Sequence, residues 1–297
     1  MWKVVVVVGL FALTNAVSVG QSTENEVNDT GEAISTSPNE ETGVKVAKWT
    51  PEDGVNPEEL GDTYFEGDII LSSQTRNGLV NEAMRWKNGI VPYTISDDFN
   101  YKDYNTIMAA MEEYHKKTCI KWVRWSGEKD YVHFVPANTG CWSSVGKVGG
   151  KQDLNLQTPG CLTKKGTVIH EMLHALGFFH EQNRHERDKY VTIKWQNVQR
   201  GTNSPVGNCP DIDYLLSGKE GNFEKVTAET ADGQGVPYDY GSVMHYSAKA
   251  FSSNGQPTIV SKKKNVQLGQ REGLSAGDIK KIRKMYKCGT TRSGTDE

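Results

Sequence analysis

The stretch His170-Glu171-Met172-Leu173-His174-Ala175-Leu176-Gly177-Phe178-Phe179-His180 decides how the rest of this chain is read. Thr167 to Leu176 contains no helix breaker and predicts a helix ended by Gly177. At 3.6 residues per turn, His170 and His174 stack on one helical face, within reach of a single ion. Were the helix to continue, His180 would lie about 9 Å further along the axis and on the opposite side. Gly177 resolves this, because glycine takes positive φ, stops the helix and turns the chain so that His180 comes back. Three neutral imidazoles with a fourth position left to water describe an open, catalytic zinc site rather than a closed structural one. Glu171 flanks that position. A lone histidine on such a helix is usually packed or solvated, and HExxH arises by chance. The added glycine and third histidine favour zinc.

Working outward, 297 residues suffice for one large globular unit with appendages. A net charge of −3 offers no cationic field for nucleic acid or anionic lipid. No apolar run beyond the extreme N-terminus approaches the roughly 20 residues that span a bilayer. Neither nucleic acid nor a membrane span is therefore expected.

Met1-Trp2-Lys3, the apolar run Val4 to Leu13 and the small residues Thr14 and Ala16 have the order of a secretory leader. The competing reading is a buried strand, since Val4 to Val8 favour extended structure. We take residues 1–16 as a signal peptide, its end lying as late as 20, and the protein as secreted and extracellular. The sequon Asn28-Asp29-Thr30 makes Asn28 a glycosylation candidate. An oxidising compartment means the five cysteines are read first as disulfides. Residues 21–62 carry eleven acidic side chains against only Lys45 and Lys48, and are expected not to order themselves.

From Asn77 the composition turns globular. Val91 to Ile95, Ile120 to Trp125, Tyr131 to Val135 and Gln152 to Leu156 predict strands. Tyr104, Ile107, Met108, Met111 and Tyr114 fall on one helical face. Ser275 with Asp278 three residues on predicts a capped helix that buries Ile279, Ile282 and Met285. The pattern is α+β without an internal repeat.

The helix-Gly-His spacing follows the metzincin pattern, which also expects the methionine of Ser242-Val243-Met244-His245-Tyr246 in a turn beneath the ligands. Glu181 directly after His180, then Arg184, Arg187 and Asp188, and finally this Ser-x-Met-His-Tyr turn, make the chain resemble the astacin family of secreted zinc endopeptidases over about residues 65–288. The resemblance implies a mixed sheet with the active-site helix in an N-terminal lobe and a more irregular C-terminal lobe. It implies one zinc ion held by His170, His174 and His180, with Glu171 as general base and Met244 as an apolar floor. Tyr246 would be an additional ligand at rest and would stabilise the oxyanion in catalysis. Phe65-Glu66-Gly67-Asp68 resembles the segment whose aspartate occupies the water position in latent relatives, so Asp68 would hold the zinc of the proenzyme. Arg76-Asn77 suits a trypsin-like activating protease, after which the new terminus of Asn77 would meet Glu181. Trp86 before Ile90-Val91-Pro92-Tyr93 keeps the family's register from that cut. His185 and Glu186 depart from the pattern, and Gly201 to Asp239 is longer than usual.

These marks divide the chain into a leader, a propeptide at 17–76, a catalytic domain at 77–288 and a tail at 289–297. Sequence alone does not choose among cysteine pairings. The resemblance implies Cys119 with Cys288 and Cys141 with Cys161. Cys209 is left over, read as an unpaired thiol, with an intermolecular link or mispairing as alternatives. Lys262 to Lys264 reads as a solvated loop, with acidic-substrate preference as the alternative, and His133 and His115 read as structural. The expected partners are protein or peptide substrates, acted on by a monomer. A non-catalytic zinc-containing binding relative would have no need of Glu171, and a small-molecule hydrolase would have little need of latency.

Overall fold

The computed structural model describes residues 26–27, 33–34, 37–61, 64–71, 82–200, 218–227 and 233–289. The leader, Asn28, Arg76, Asn77, Cys209 and the tail beyond 289 lie outside the described residues.

Helix α1 (Glu40–Lys48) packs on a first lobe that holds β1 (Ile90–Ile95), α2 (Tyr101–Lys117), β2 (Lys121–Arg124), β3 (Tyr131–Val135), β4 (Cys141–Ser143), β5 (Lys151–Leu156) and α3 (Lys165–Ala175). The sheet runs β2-β1-β3-β5-β4, parallel except for the antiparallel edge strand β4. All four strands read from the sequence are present. β4 was not expected, because three residues are too few to display alternation. Val91, Val132, Phe134, Leu154 and Leu156 are fully buried along with Ile107, Met111 and Tyr114 of α2. Parallel strands covered in this way need apolar residues facing the helices. α2 begins where the Asn100 side chain accepts from Asp103 N at 3.0 Å. It is fastened to α3 by the Tyr114 hydroxyl, which donates to Ile169 O at 2.8 Å.

The second lobe is mostly irregular and holds a two-stranded ribbon, β6 (Val191–Ile193) with β7 (Ile259–Ser261), and helix α4 (Ala276–Met285). α4 starts at the expected capping box, with Ser275 Oγ accepting from Asp278 N at 2.9 Å and Asp278 Oδ2 accepting from Ser275 N at 3.0 Å. Cys119 is bonded to Cys288 and Cys141 to Cys161. Among the described residues no helix is long and apolar enough to cross a membrane.

The expectation that residues 21–62 stay unordered is corrected for 37–61. Helix α1, two short 3-10 turns at Pro51–Asp53 and Pro57–Leu60, and the buried Val46, Glu58 and Glu59 all lie in that range. Low hydrophobicity prevents a segment from making its own core. It does not prevent packing on a surface supplied by the rest of the chain, and that is how these residues are buried.

Candidate metal centre

Helix α3 carries His170, Glu171 and His174, all buried, and ends as the sequence predicts. Gly177 takes φ 106°, Gly177 N donates to His174 O at 2.7 Å, and Phe178 N donates to Leu173 O at 3.1 Å. A side chain at Gly177 would be strained at that φ. The turn returns His180 to the helix, with its Nε2 3.2 Å from that of His170 and the His170 and His174 Nε2 atoms 3.1 Å apart.

Asp68 completes the group. Its Oδ2 lies 2.9 Å from His170 Nε2 and 3.2 Å from His180 Nε2, and its Oδ1 lies 3.4 Å from His174 Nε2. A tetrahedron of ligands at 2.0–2.1 Å has edges of about 3.3 Å, so the four side chains have the spacing of a shared ion. The outer nitrogens say the same. His170 Nδ1 donates to Val243 O at 2.8 Å, His174 Nδ1 donates to Phe178 O at 2.8 Å, and His180 Nδ1 meets Glu66 Oε2 at 2.6 Å. Each contact holds the proton outside and turns the Nε2 lone pair inward, which is how metal-binding histidines are oriented. Glu171 Oε1 and Oε2 and Asp68 Oδ1 are buried with no hydrogen-bond partner, a state carboxylates rarely keep without a cation or a reacting group. The donor set of three imidazoles and a carboxylate fits zinc.

The electrostatics match this arrangement. Burial pushes the Glu171 carboxyl well above the usual range, helped by Asp68 and Glu58 and opposed by Arg271. Burial also works against charge on His180, but Asp68 and Glu66 outweigh it and push the imidazole up to about 9. The same two negative charges favour a cation at the centre. Burial holds His170 well below the usual histidine range.

The turn beneath is fixed from two sides. Asp278 accepts from Ser242 Oγ at 2.6 Å and from Val243 N at 2.9 Å, while Gln182 Oε1 accepts from Tyr246 N at 3.0 Å. Met244 is buried in the main core beside the helix that bears the ligands. A family model described as Astacin (Peptidase family M12A) matches residues 78–287. The chain belongs to the astacin family. Zinc metalloproteinase nas-13 of Caenorhabditis elegans is 43% identical over 244 residues, covering 82% of this chain and 50% of the relative. Meprin A subunit beta of Rattus norvegicus is 41% identical over 242 residues, covering 80% of this chain and 31% of the relative. The chain thus spans half or less of the length of these two curated relatives. High choriolytic enzyme 1, a hatching enzyme zinc-protease from Oryzias latipes, is 37% identical in sequence with a TM-score of 0.59, covering 70% of this chain and 96% of that structure. The α+β fold, the family and its zinc chemistry agree with the sequence reading.

The Tyr246 hydroxyl is buried beside His180 and donates to the Glu66 carbonyl oxygen. Glu181 is buried, with Oε1 accepting from Arg184 Nη1 at 3.0 Å and Asp239 N at 2.8 Å, and Oε2 paired with Lys281. His133 shares a hydrogen bond with Thr94 Oγ1 at 2.7 Å, and His115 Nε2 accepts from Trp122 N at 3.0 Å, so both are structural. Lys262 Nζ donates to Asp188 O, and Lys263 and Lys264 are exposed.

Sequence reasoning gave no role to Glu66, Asp278's grip on the turn, Gln182, or the buried set Glu58, Glu59 and Arg271. Arg271 Nε pairs with Glu58 Oε1, and Glu59 Oε1 accepts from Ser247 N at 2.6 Å. Burial raises the Glu58 carboxyl, and Arg271 opposes the rise. Only Glu66 had a signal, since it lies inside the tetrapeptide that contains Asp68.

Proposed function

We propose that residues 77–288 act as a secreted zinc-dependent endopeptidase, held latent by a propeptide at 17–76 behind a leader at 1–16. The observation that carries this reading is the Asp68 carboxylate lying against all three histidine Nε2 atoms, from a segment N-terminal to the family match. A carboxylate there takes the place that an attacking water needs.

His170, His174 and His180 would hold a zinc ion, which would supply Lewis acidity and lower the pKa of a water at the site to about 7. Once residues 66–68 withdraw, Glu171 accepts the proton of the water that attacks the scissile carbonyl, then delivers it to the departing amine nitrogen. Tyr246 donates to the carbonyl oxygen as it gains negative charge, the contact it now gives the Glu66 carbonyl; in the resting cut enzyme it would be a further residue holding the zinc. Arg271, now under Glu58, becomes available to an acidic substrate side chain.

A trypsin-like protease cuts between Arg76 and Asn77, and the new ammonium joins the charged set around Glu181. Glycosylation at Asn28 and an unpaired Cys209 belong to the same reading. The zinc-loaded full-length chain should show no peptidase activity until limited trypsin exposes Asn77, and the activity of the cut, diluted protein should vanish with a chelator and return with zinc. Full activity in the uncut chain, or a mature terminus far from Asn77, would reject it.

A further inference from the structure

Three separate strips of the propeptide lie on the catalytic domain. The first is remote in contact from the histidine cluster. Gly43 sits in mid-helix, where glycine is disfavoured. The close crossing explains it, since a Cβ there would lie 1.8 Å from Asn138 O. Gly43 O accepts from Gln157 Nε2 at 2.9 Å, and Gln157 Oε1 accepts from Gly140 N at 2.8 Å. Val46 is 1% exposed and fills the space above Gly160, whose Cβ would lie 2.7 Å from Val46 Cγ1. Tyr64 locks the strip at its far end, its hydroxyl accepting from Asn39 N at 2.6 Å and donating to Thr139 O at 2.8 Å.

The second strip holds Glu58 and Glu59 against Arg271 and Ser247, with Asn56 Nδ2 donating to Gly269 O at 3.2 Å. The third runs beside the edge strand β4, with Ser143 N donating to Asp68 O and Ile70 N donating to Ser143 O, both at 3.0 Å. None of these contacts involves residues 72–81, where Arg76 lies.

We propose that the catalytic domain carries a docking surface, built from Asn138, Thr139, Gly140, Gln157 and Gly160, whose partner is the propeptide segment 37–71 even after the chain is cut. This inference rests on the latent-peptidase reading and extends it. Cutting after Arg76 breaks no contact named above; it converts an intramolecular association into a bimolecular one that dilution reverses. Activation then has two steps, cleavage and release, and the second is governed by α1 and Tyr64 as well as by Asp68. The released segment is an inhibitor of its own enzyme when supplied in trans.

The test begins with the zinc-loaded full chain, cut by limited trypsin, with the cut verified by the mass of the new terminus. At micromolar concentration the propeptide fragment should co-elute with the catalytic domain on size exclusion. On rapid thousandfold dilution into a peptide substrate, activity should rise with a lag that does not depend on trypsin. Tyr64→Phe keeps the ring but loses two hydrogen bonds, and should shorten the lag about fivefold to tenfold. Gly43→Leu should shed the fragment at the moment of cutting, with no lag. A wild-type fragment that separates as soon as the cut is made would overturn the dock, as would wild-type lags in both variants. Absence of peptidase activity at every dilution would instead overturn the functional reading, while co-elution would still decide the dock.

Discussion

Asp278→Ala should damage the metal centre without touching a ligand. The carboxylate accepts from Ser242 Oγ at 2.6 Å, Val243 N at 2.9 Å and Ser275 N at 3.0 Å, and the first two contacts are buried. Truncation leaves the first two donors unpaired, each worth about 1–3 kcal/mol, and removes half of a capping box worth about 1 kcal/mol. Relief of the buried charge offsets part of this, because burial raises the Asp278 carboxyl in the folded chain. A net loss of about 3 kcal/mol remains, read as a lower urea midpoint with an unchanged slope. Val243 also offers its carbonyl to His170 Nδ1, so the freed turn loosens the ligand, and zinc affinity should fall about 10- to 100-fold in chelator competition. Asp278→Asn retains an acceptor and should lose less on both measures. An alanine variant within about 0.5 kcal/mol of wild type, holding zinc as tightly, would refute the inference that this carboxylate positions the turn.

Replacing both Cys119 and Cys288 by alanine opens a link across a sequence separation of 169 residues, and should lower unfolding stability by about 2–5 kcal/mol in thermal or denaturant unfolding. Removing Cys141–Cys161, with a separation of 20, should lower it less. Glu113 accepts from Leu274 N and pairs with Lys165 and Lys117; burial opposes its ionisation, but these partners prevail and hold its carboxyl below the usual value of 4.5. Its contribution is therefore present above about pH 4.5 and lost as pH falls through the lowered folded value. Glu113→Gln should be less stable at neutral pH and should lose less on acidification across that window, as urea titrations at successive pH values would show.

The parts of this astacin that depend on short-range chemistry were legible in its sequence. His170 and His174 follow from helical geometry, the return of His180 from Gly177, and the start of α4 from Ser275 and Asp278. The core strands declared themselves because sheet residues facing a helix must be apolar. What stayed hidden depends on contacts between distant segments. Residues 37–61 look too polar to order, yet Glu58 finds Arg271, 213 positions away. Glu66 reaches His180 across 114 positions, and β4 is too short to reveal a period. Burial of acidic residues is unreadable locally, because it requires a partner that composition does not identify.

Zinc content and peptidase turnover of Glu171→Ala, measured on the cut and diluted protein beside wild type, test the central claim most directly. Expected are one zinc per chain and a turnover lower by about 10²–10⁴-fold or more, because the general base is gone while the three imidazoles remain. Glu171→Ala with one zinc and near wild-type turnover would contradict the assignment of Glu171 and the mechanism built on it.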